Sequence, residues 1–298
     1  MRIFLTGASG FIGRALQQRL GAAHELLLHF RREPKPGEVL AGEVVRGLES
    51  IPGPLDAVIN LAGENLGAKR WSESRKAELR SSRIDFTQQL AAALDAQGLQ
   101  PKLWINGSAV GYYGETQGRV HTEEDGPGED FAARLCVDWE AAAAAASTRL
   151  GVERLVCLRL AVVLGPGGAL AQMRLPFQLG LGAVMGPGAQ HMAWVHRADV
   201  TGVIARALED ERYRGAFNVV APQRATQREF ARTLAQVLRR PLLLRAPAPA
   251  LRLLMGEMST LLLTDQEIAP ARLAEQGYRF GQPELAGALE QALAARGP

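Results

Sequence analysis

The 298 residues are 47% hydrophobic and 22% charged, the make-up of a globular chain long enough for a large core. Thirty-four basic against 31 acidic residues leave a net charge of +3 with no long run of like charge, so the dense basic patch of a nucleic-acid binder is excluded. Arg252 and Glu257 interrupt the best bilayer-spanning candidate and no leader pattern precedes the first strand, so the expectation is a cytoplasmic chain with no membrane partner.

In chain order, "RIFLTG" predicts a strand and "IGRALQQRL" a helix, and "HELLLHF" and "DAVINLAG" predict two more strands. "RIDFTQQLAAALDAQ" has helical spacing. "KLWINGSAV" and "ERLVCLRLAVVLG" read as strands, with the helix "FAARLCVDWEAAAAAASTRL" between them. Strands alternating with helices predict an α/β fold, a Rossmann-type doubly wound parallel sheet covered on both faces. The run Ala141 to Ala146 belongs to the last helix rather than to a linker, because alanine has the highest helix propensity. After Leu164 the rhythm breaks in "GPGGAL" and "GLGAVMGPGAQ". "GAFNVVAP" is one more strand, and the helices "TQREFARTLAQVL" and "PELAGALEQALAA" enclose a proline-punctuated stretch. The chain therefore divides into a dinucleotide-binding domain, 1–164, and a smaller C-terminal α+β substrate-side region, 165–298, with a return to the sheet near 194–222. The two cysteines, Cys136 and Cys157, sit in apolar contexts and read as buried thiols of a reducing compartment.

"TGASGFIG" places Gly7, Gly10 and Gly13 at three-residue intervals between the first strand and the first helix, with Ser9, Phe11 and Ile12 completing the turn. Glycine lets the backbone approach a pyrophosphate, and the helix N-terminus offers it free N–H groups and a positive dipole end. The second strand ends in Arg31 and Arg32, where an NAD site places an acidic residue for the ribose hydroxyl. Two arginines suit the 2′-phosphate of NADP(H); Glu33, one step on, is the candidate for the hydroxyl if the cofactor is NAD.

The spacing TGxxGxxG, "NLAG" and "GSAVGYYG" resemble the short-chain dehydrogenase/reductase superfamily, and "RLAVVLGP", "WVHRADV" and "FNVVAP" resemble its extended, epimerase-type branch. "NLAGENL", "SAVGYYG", "LCVDWE" and the tail "RLLMGEMSTLLL…GYRF" together look like its atypical subgroup of epimerase-family, YfcH-like proteins with their own C-terminal domain. The resemblance covers essentially the whole chain and implies NADP binding through the glycine turn, the two arginines and Leu61, Ala62, Gly63 and Glu64. It also implies roles for Ser108, which would hydrogen-bond a substrate oxygen, and for Tyr113 or its neighbour Tyr112 as proton donor.

Two departures qualify the chemistry. The superfamily's Tyr and Lys, four residues apart on one helix face, have no counterpart: the slots hold Phe131 with Leu135, or Ala132 with Cys136. Met192 stands in "GAQHMAWVHRAD" where the extended branch places an arginine for a sugar-nucleotide diphosphate. Asp199 reads as a helix N-cap and His196 as structural, and the five histidines imply no metal site. Three functions follow from this reading. One is an NADP-dependent oxidoreductase of a small carbonyl or alcohol with an altered acid/base set; another is an NADPH-binding regulatory protein with little turnover; the third is a nucleotide-sugar epimerase. The expected assembly is a monomer or homodimer.

Overall fold

The computed structural model describes residues 1–294 apart from Arg32, Lys35, Pro36, Glu38 and Gln117. Strand β1 (Arg2–Thr6) turns into helix α1 (Phe11–Leu20), followed by β2 (Glu25–His29), β3 (Glu43–Val45) and β4 (Ala57–Asn60). Helix α2 (Glu73–Arg80) continues through a π-helical stretch, Ser81–Asp85, into α3 (Phe86–Ala96). Then come β5 (Leu103–Ala109), a 3₁₀ turn (Val110–Tyr113), α4 (Phe131–Leu150) and β6 (Arg154–Leu160). The second half holds β7 (Val162–Leu164), α5 (Gly168–Gln178), β8 (Ala183–Met185), β9 (Trp194–His196), α6 (Arg197–Glu209) and β10 (Gly215–Val219). After α7 (Gln227–Val237) and β11 (Leu244–Ala246) come α8 (Ala248–Met255), a 3₁₀ turn (Gly256–Ser259), α9 (Thr260–Leu263), α10 (Ala271–Glu275) and α11 (Leu285–Ala294).

Seven strands form one parallel sheet in the order β10-β6-β5-β4-β1-β2-β3. Its central strands are buried on both faces, which is why they read as continuous apolar runs rather than alternations. On one face Leu16 and Leu20 of α1 meet Val200, Val203 and Ile204 of α6. On the other, Leu90 and Leu94 of α3 meet Ala146 and Leu150 of α4. The alanine run is helical as expected: Ala142, Ala143 and Ala146 are buried, and small side chains let α4 lie close to its neighbours. Asp130 caps this helix by accepting from the Ala133 N–H at 2.7 Å, and Gly151, at φ +63°, ends it.

The expected strand "ERLVCLRLAVVLG" divides at Ala161. The Val162 N–H turns to the Ala193 carbonyl, so β7 leaves the main sheet and pairs with β9. The helix expected from Arg83 begins earlier, at Glu73, and only the π-helical stretch separates its two halves. Asp199 is not the N-cap of α6. The His196 ring accepts from the Ala198 N–H instead, and the buried Asp199 carboxylate accepts from the N–H groups of Gly281 and Gln282 at 2.7 and 3.1 Å. Asp199 therefore ties down the tail ahead of α11, whose Leu285 and Leu289 pack with Trp194, Phe230 and Leu234 in a second core.

A strap from Asp265 to Ala269 links the two regions. Its Asp265 and Glu267 carbonyls accept from the N–H groups of Thr116 and His121, and its Gln266 and Ala269 N–H groups donate to the His191 and His121 carbonyls. No helix among the described residues is long and apolar enough to cross a membrane.

Candidate functional site

The C-terminal ends of β1, β2, β4 and β5 converge where an open parallel sheet places its ligand. The three glycines of the first turn do different work. At Gly7, φ +70°, a Cβ would lie 2.6 Å from the Leu61 carbonyl oxygen, so the missing side chain lets the loop after β4 approach β1. A Cβ on Gly13 would overlap the Gly7 carbonyl and lie 2.8 Å from Ala8 Cα, so this glycine closes the turn on itself. Gly10 is the most open of the three: its Cβ would meet a single atom, the Gly7 oxygen, at 3.0 Å. Gly10 is also the N-cap of α1, with no side-chain cap and no acidic residue in the first turn. The helix end is thus an uncapped, positively polarised cradle of the right shape for a phosphate. Ser9 is exposed beside it and Ile12 is half-buried. Phe11 lies under the glycines of 165–168, with the Arg197 guanidinium 4.7 Å above its ring.

At the end of β2, Arg31 donates to Glu64 Oε1 at 2.9 Å, and the guanidinium is largely exposed. This bond is the main reason the Glu64 carboxyl is held below the usual carboxylate range. The loop after β4 thus brings Glu64 to the residue read as the 2′-phosphate contact. Arg32 falls outside the described residues. Glu33 pairs with Arg46 at 2.9 Å. Gly63 leaves room for the Arg83 guanidinium, which would sit 3.0 Å from a Cβ there and donates to the Glu64 carbonyl at 2.8 Å. Arg83 lies in the π-helical stretch, buried over the Trp139 ring, and burial pulls its pKa down to about 10. The extra backbone residue of a π turn re-aims a side chain that a regular helix would direct elsewhere. Leu61 and Ala62 are half-buried in the same loop. Beneath it, Thr6, Asn60, Asn106 and Thr87 form a buried side-chain chain with bonds of 2.7 to 2.9 Å, which locks the strand ends in register.

The sequence reading missed the centre of the site. Ser108 Oγ donates to Glu140 Oε1 at 2.6 Å. The two Glu140 oxygens accept from Arg159 Nε and Nη2, each at 2.9 Å. Burial works against the Arg159 charge, but the Glu140 pair outweighs it and keeps the guanidinium ionised. Arg159 also donates to the Tyr113 phenol at 2.8 Å, and that phenol donates to Asn218 Oδ1 at 2.7 Å. Ser108 is 3% exposed and Tyr113 2%. The hydroxyl of Tyr113, one of the two tyrosines expected as proton donor, is thus engaged on both sides, and burial pushes its pKa up to about 12. Tyr112 is half-buried, and its ring lies 3.4 Å from the Arg159 guanidinium carbon. Of the two pairs read as occupying the vacated helix slot, Ala132 and Cys136 lie close to Gly111. Cys136 is a buried thiol whose pKa burial pushes up to about 11, and so not a nucleophile at neutral pH.

Met192 lines a small cavity with His191, Trp194, Gln223 and Arg224, and among the described residues the buried Trp194 indole N–H has no partner. The polar groups beside Met192 have partners of their own on the strap: His191 Nδ1 lies 2.9 Å from Asp265, and the Arg224 guanidinium lies 2.7 Å from Glu267.

Residues 3–220 match the NAD dependent epimerase/dehydratase family, and residues 246–292 match a domain of unknown function, DUF1731. The chain is 40% identical to the epimerase family protein SDR39U1 of Mus musculus over 303 residues, covering 99% of this chain and 100% of that one. It is 39% identical to an epimerase family protein of Mycobacterium bovis, covering 96% of each. A crystal structure of human SDR39U1 (isoform 2) with NADPH superposes with a TM-score of 0.87 at 35% identity, over 98% of this chain and 99% of that one.

Proposed function

Because this chain belongs to the NAD dependent epimerase/dehydratase family, we propose that it binds NADP(H) across the ends of β1, β2 and β4 and oxidises or reduces a small alcohol or carbonyl compound. Cofactor binding is supported by the uncapped α1 terminus, the open Gly10 cradle, Arg31, and the NADPH of the human SDR39U1 structure. The phosphates would lie at Gly10 to Ile12 and the 2′-phosphate at Arg31 and Arg32. When bound, the nicotinamide exchanges the hydride; the residues of the chain handle the proton.

The observation that carries the reaction is the direction of the Ser108 bond. A carboxylate paired with Arg159 has only acceptor oxygens, so Ser108 donates to Glu140 and its own oxygen keeps the capacity to accept from a substrate hydroxyl. A substrate hydroxyl then donates to Ser108 Oγ. As the hydride leaves the alcohol carbon, the hydroxyl proton passes to Ser108 Oγ and the Ser108 hydrogen passes to Glu140. Carbonyl reduction is the reverse: the proton returns from Glu140 to Ser108 Oγ as the Ser108 hydrogen passes to the carbonyl oxygen. The second reading, an NADPH-binding protein with little turnover, is favoured by the locked Tyr113 and by Ala132 and Cys136 in the vacated slot. A sugar-nucleotide substrate is disfavoured, because Met192 offers a diphosphate no charge and the Arg224 guanidinium beside it is already paired with Glu267.

The test is a titration with NADPH and NADH, followed by single-turnover absorbance with small alcohols, ketones and nucleotide sugars. NADPH is expected to bind more tightly, and Arg31→Ala with Arg32→Ala to cost about 2–4 kcal/mol of NADPH affinity alone. Glu140→Gln is expected to slow turnover by about 10²–10⁴-fold while leaving cofactor affinity unchanged. Equal affinity for the two cofactors would refute the arginine reading. Silence across the panel with tight NADPH binding would establish the second reading instead.

A further inference from the structure

The region after β7 carries apolar side chains that nothing among the described residues covers. The two-stranded ladder of β8 and β11 sets Leu244 beside Ala183, so Leu243 and Leu244 adjoin the run that includes Leu179 and Leu181. Leu243 is 83% exposed, Leu179 67% and Leu181 59%. Two residues beyond β11 begins α8, an amphipathic helix with no buried residue, whose Leu253 and Leu254 are 79% and 70% exposed. Isolated exposed leucines need no explanation, but a cluster on a short ladder and its following helix does.

Within the stretches of chain that carry these leucines, the charge is of one sign. Arg239, Arg240, Arg245 and Arg252 punctuate the same stretch, all exposed, and from Phe230 to Gly256 the sequence has no aspartate or glutamate. Among the described residues, none of these four arginines forms an ion pair, whereas Arg75, Arg80, Arg149, Arg159, Arg212 and Arg224 elsewhere all do. The run 165–189 adds Arg174 and again no acid. A second copy of the chain meeting this face through a two-fold axis would bring these arginines against themselves, which disfavours a homodimer here. Leucines projecting between unpaired arginines match instead a surface that is apolar below and anionic above.

We propose that this face, built on β8, β11 and α8, docks on the surface of an anionic lipid bilayer. The leucines enter the headgroup–acyl boundary and the arginines hold the lipid phosphates and carboxylates. This departs from the expectation of no membrane partner, which rested on the lack of a spanning segment; docking needs none. The contact is peripheral, reversible and weakened by salt.

Co-sedimentation of the full chain with vesicles tests it. Binding is expected to vesicles of equimolar phosphatidylserine and phosphatidylcholine, to fall as salt is raised, and to be slight with phosphatidylcholine alone. Arg239→Gln with Arg240→Gln is expected to weaken it about 25-fold, each arginine near an anionic surface being worth roughly fivefold. Leu243→Asp with Leu244→Asp is expected to abolish it without changing the thermal melt, since both side chains are exposed. Arg149→Gln, on α4, is the control and is expected to bind as the parent. Equal binding to both vesicle types, binding to neither, or binding undiminished in the leucine variant would overturn the proposal. So would a concentration-dependent dimer that Leu243→Asp returns to monomer, which would give the face to a second copy.

Discussion

Arg159 holds both oxygens of Glu140, and that grip turns the Ser108 hydrogen toward the carboxylate, so the resting serine meets a substrate hydroxyl as an acceptor. On its other side the same guanidinium fixes Tyr113, so one buried cation sets the state of two hydroxyls. Tyr113 gives a test in pH. Its pKa is pushed up to about 12 by burial, above the ordinary value near 10 that it regains on unfolding. A raised folded pKa stabilises the fold below pH 10, and that stability is lost as pH rises toward 12, at about 1.4 kcal/mol per pH unit for one proton. Tyr113→Phe is expected to lower stability by about 1–3 kcal/mol near neutral pH, because Arg159 and Asn218 lose a partner. The gap to the parent should then close between pH 10 and 12, since the variant lacks the proton that the parent loses. Chemical denaturation at a series of pH values checks this; a constant gap would mean that the phenol is not shifted. Neither Glu140 nor Arg159 was legible as a site residue. In "WE" the acid reads as helix register, and in "CLRLAV" the base is one charge in a strand. They meet only because α4 crosses the sheet where β6 lies beside β5.

At the scale of elements, the glycine turn was legible because its spacing fits one mechanism, but its division of labour was not. Gly10→Ala is expected to leave the thermal melt near that of the parent, because the new Cβ meets only the Gly7 oxygen. It should weaken NADPH binding by an order of magnitude or more, since the methyl occupies the cradle. Gly13→Ala is expected to lose about 1–3 kcal/mol of stability with or without cofactor, because its Cβ runs into the backbone of Gly7 and Ala8. Paired thermal melts with and without NADPH separate the two. If both variants melt alike, the assignment of Gly10 to the ligand fails. The three-residue strands β3, β8 and β11 were invisible for a different reason: so short a run shows no periodicity. The π-helical stretch was hidden because "SSRID" has no composition that sets it apart from the helix around it.

For the whole molecule, the alternation of strands and helices was enough to give the doubly wound sheet, because a parallel strand must be apolar along its length and its crossover helix along one side. It did not show how the tail is fastened. The strap joins Thr116 to Asp265 and His121 to Glu267; beyond it, Asn218 donates to the Ala269 carbonyl, and the Arg272 N–H donates to Glu123. A chain ending at Thr264 is expected to show no cooperative melt. It strips Ile268 and Leu273 from the main core and Leu285 and Leu289 from the second, and leaves the Asp199 carboxylate without its backbone donors. Calorimetry of the truncated chain checks this, and a sharp transition would show that the cofactor half stands alone. The strap also orders events in time. Loops near residue 120 wait for partners near residue 267, so they cannot close until that stretch has left the ribosome. The nascent glycine turn and the first strands of its sheet are therefore made well before the segment that fastens those loops, and this long-range contact is a late step of folding.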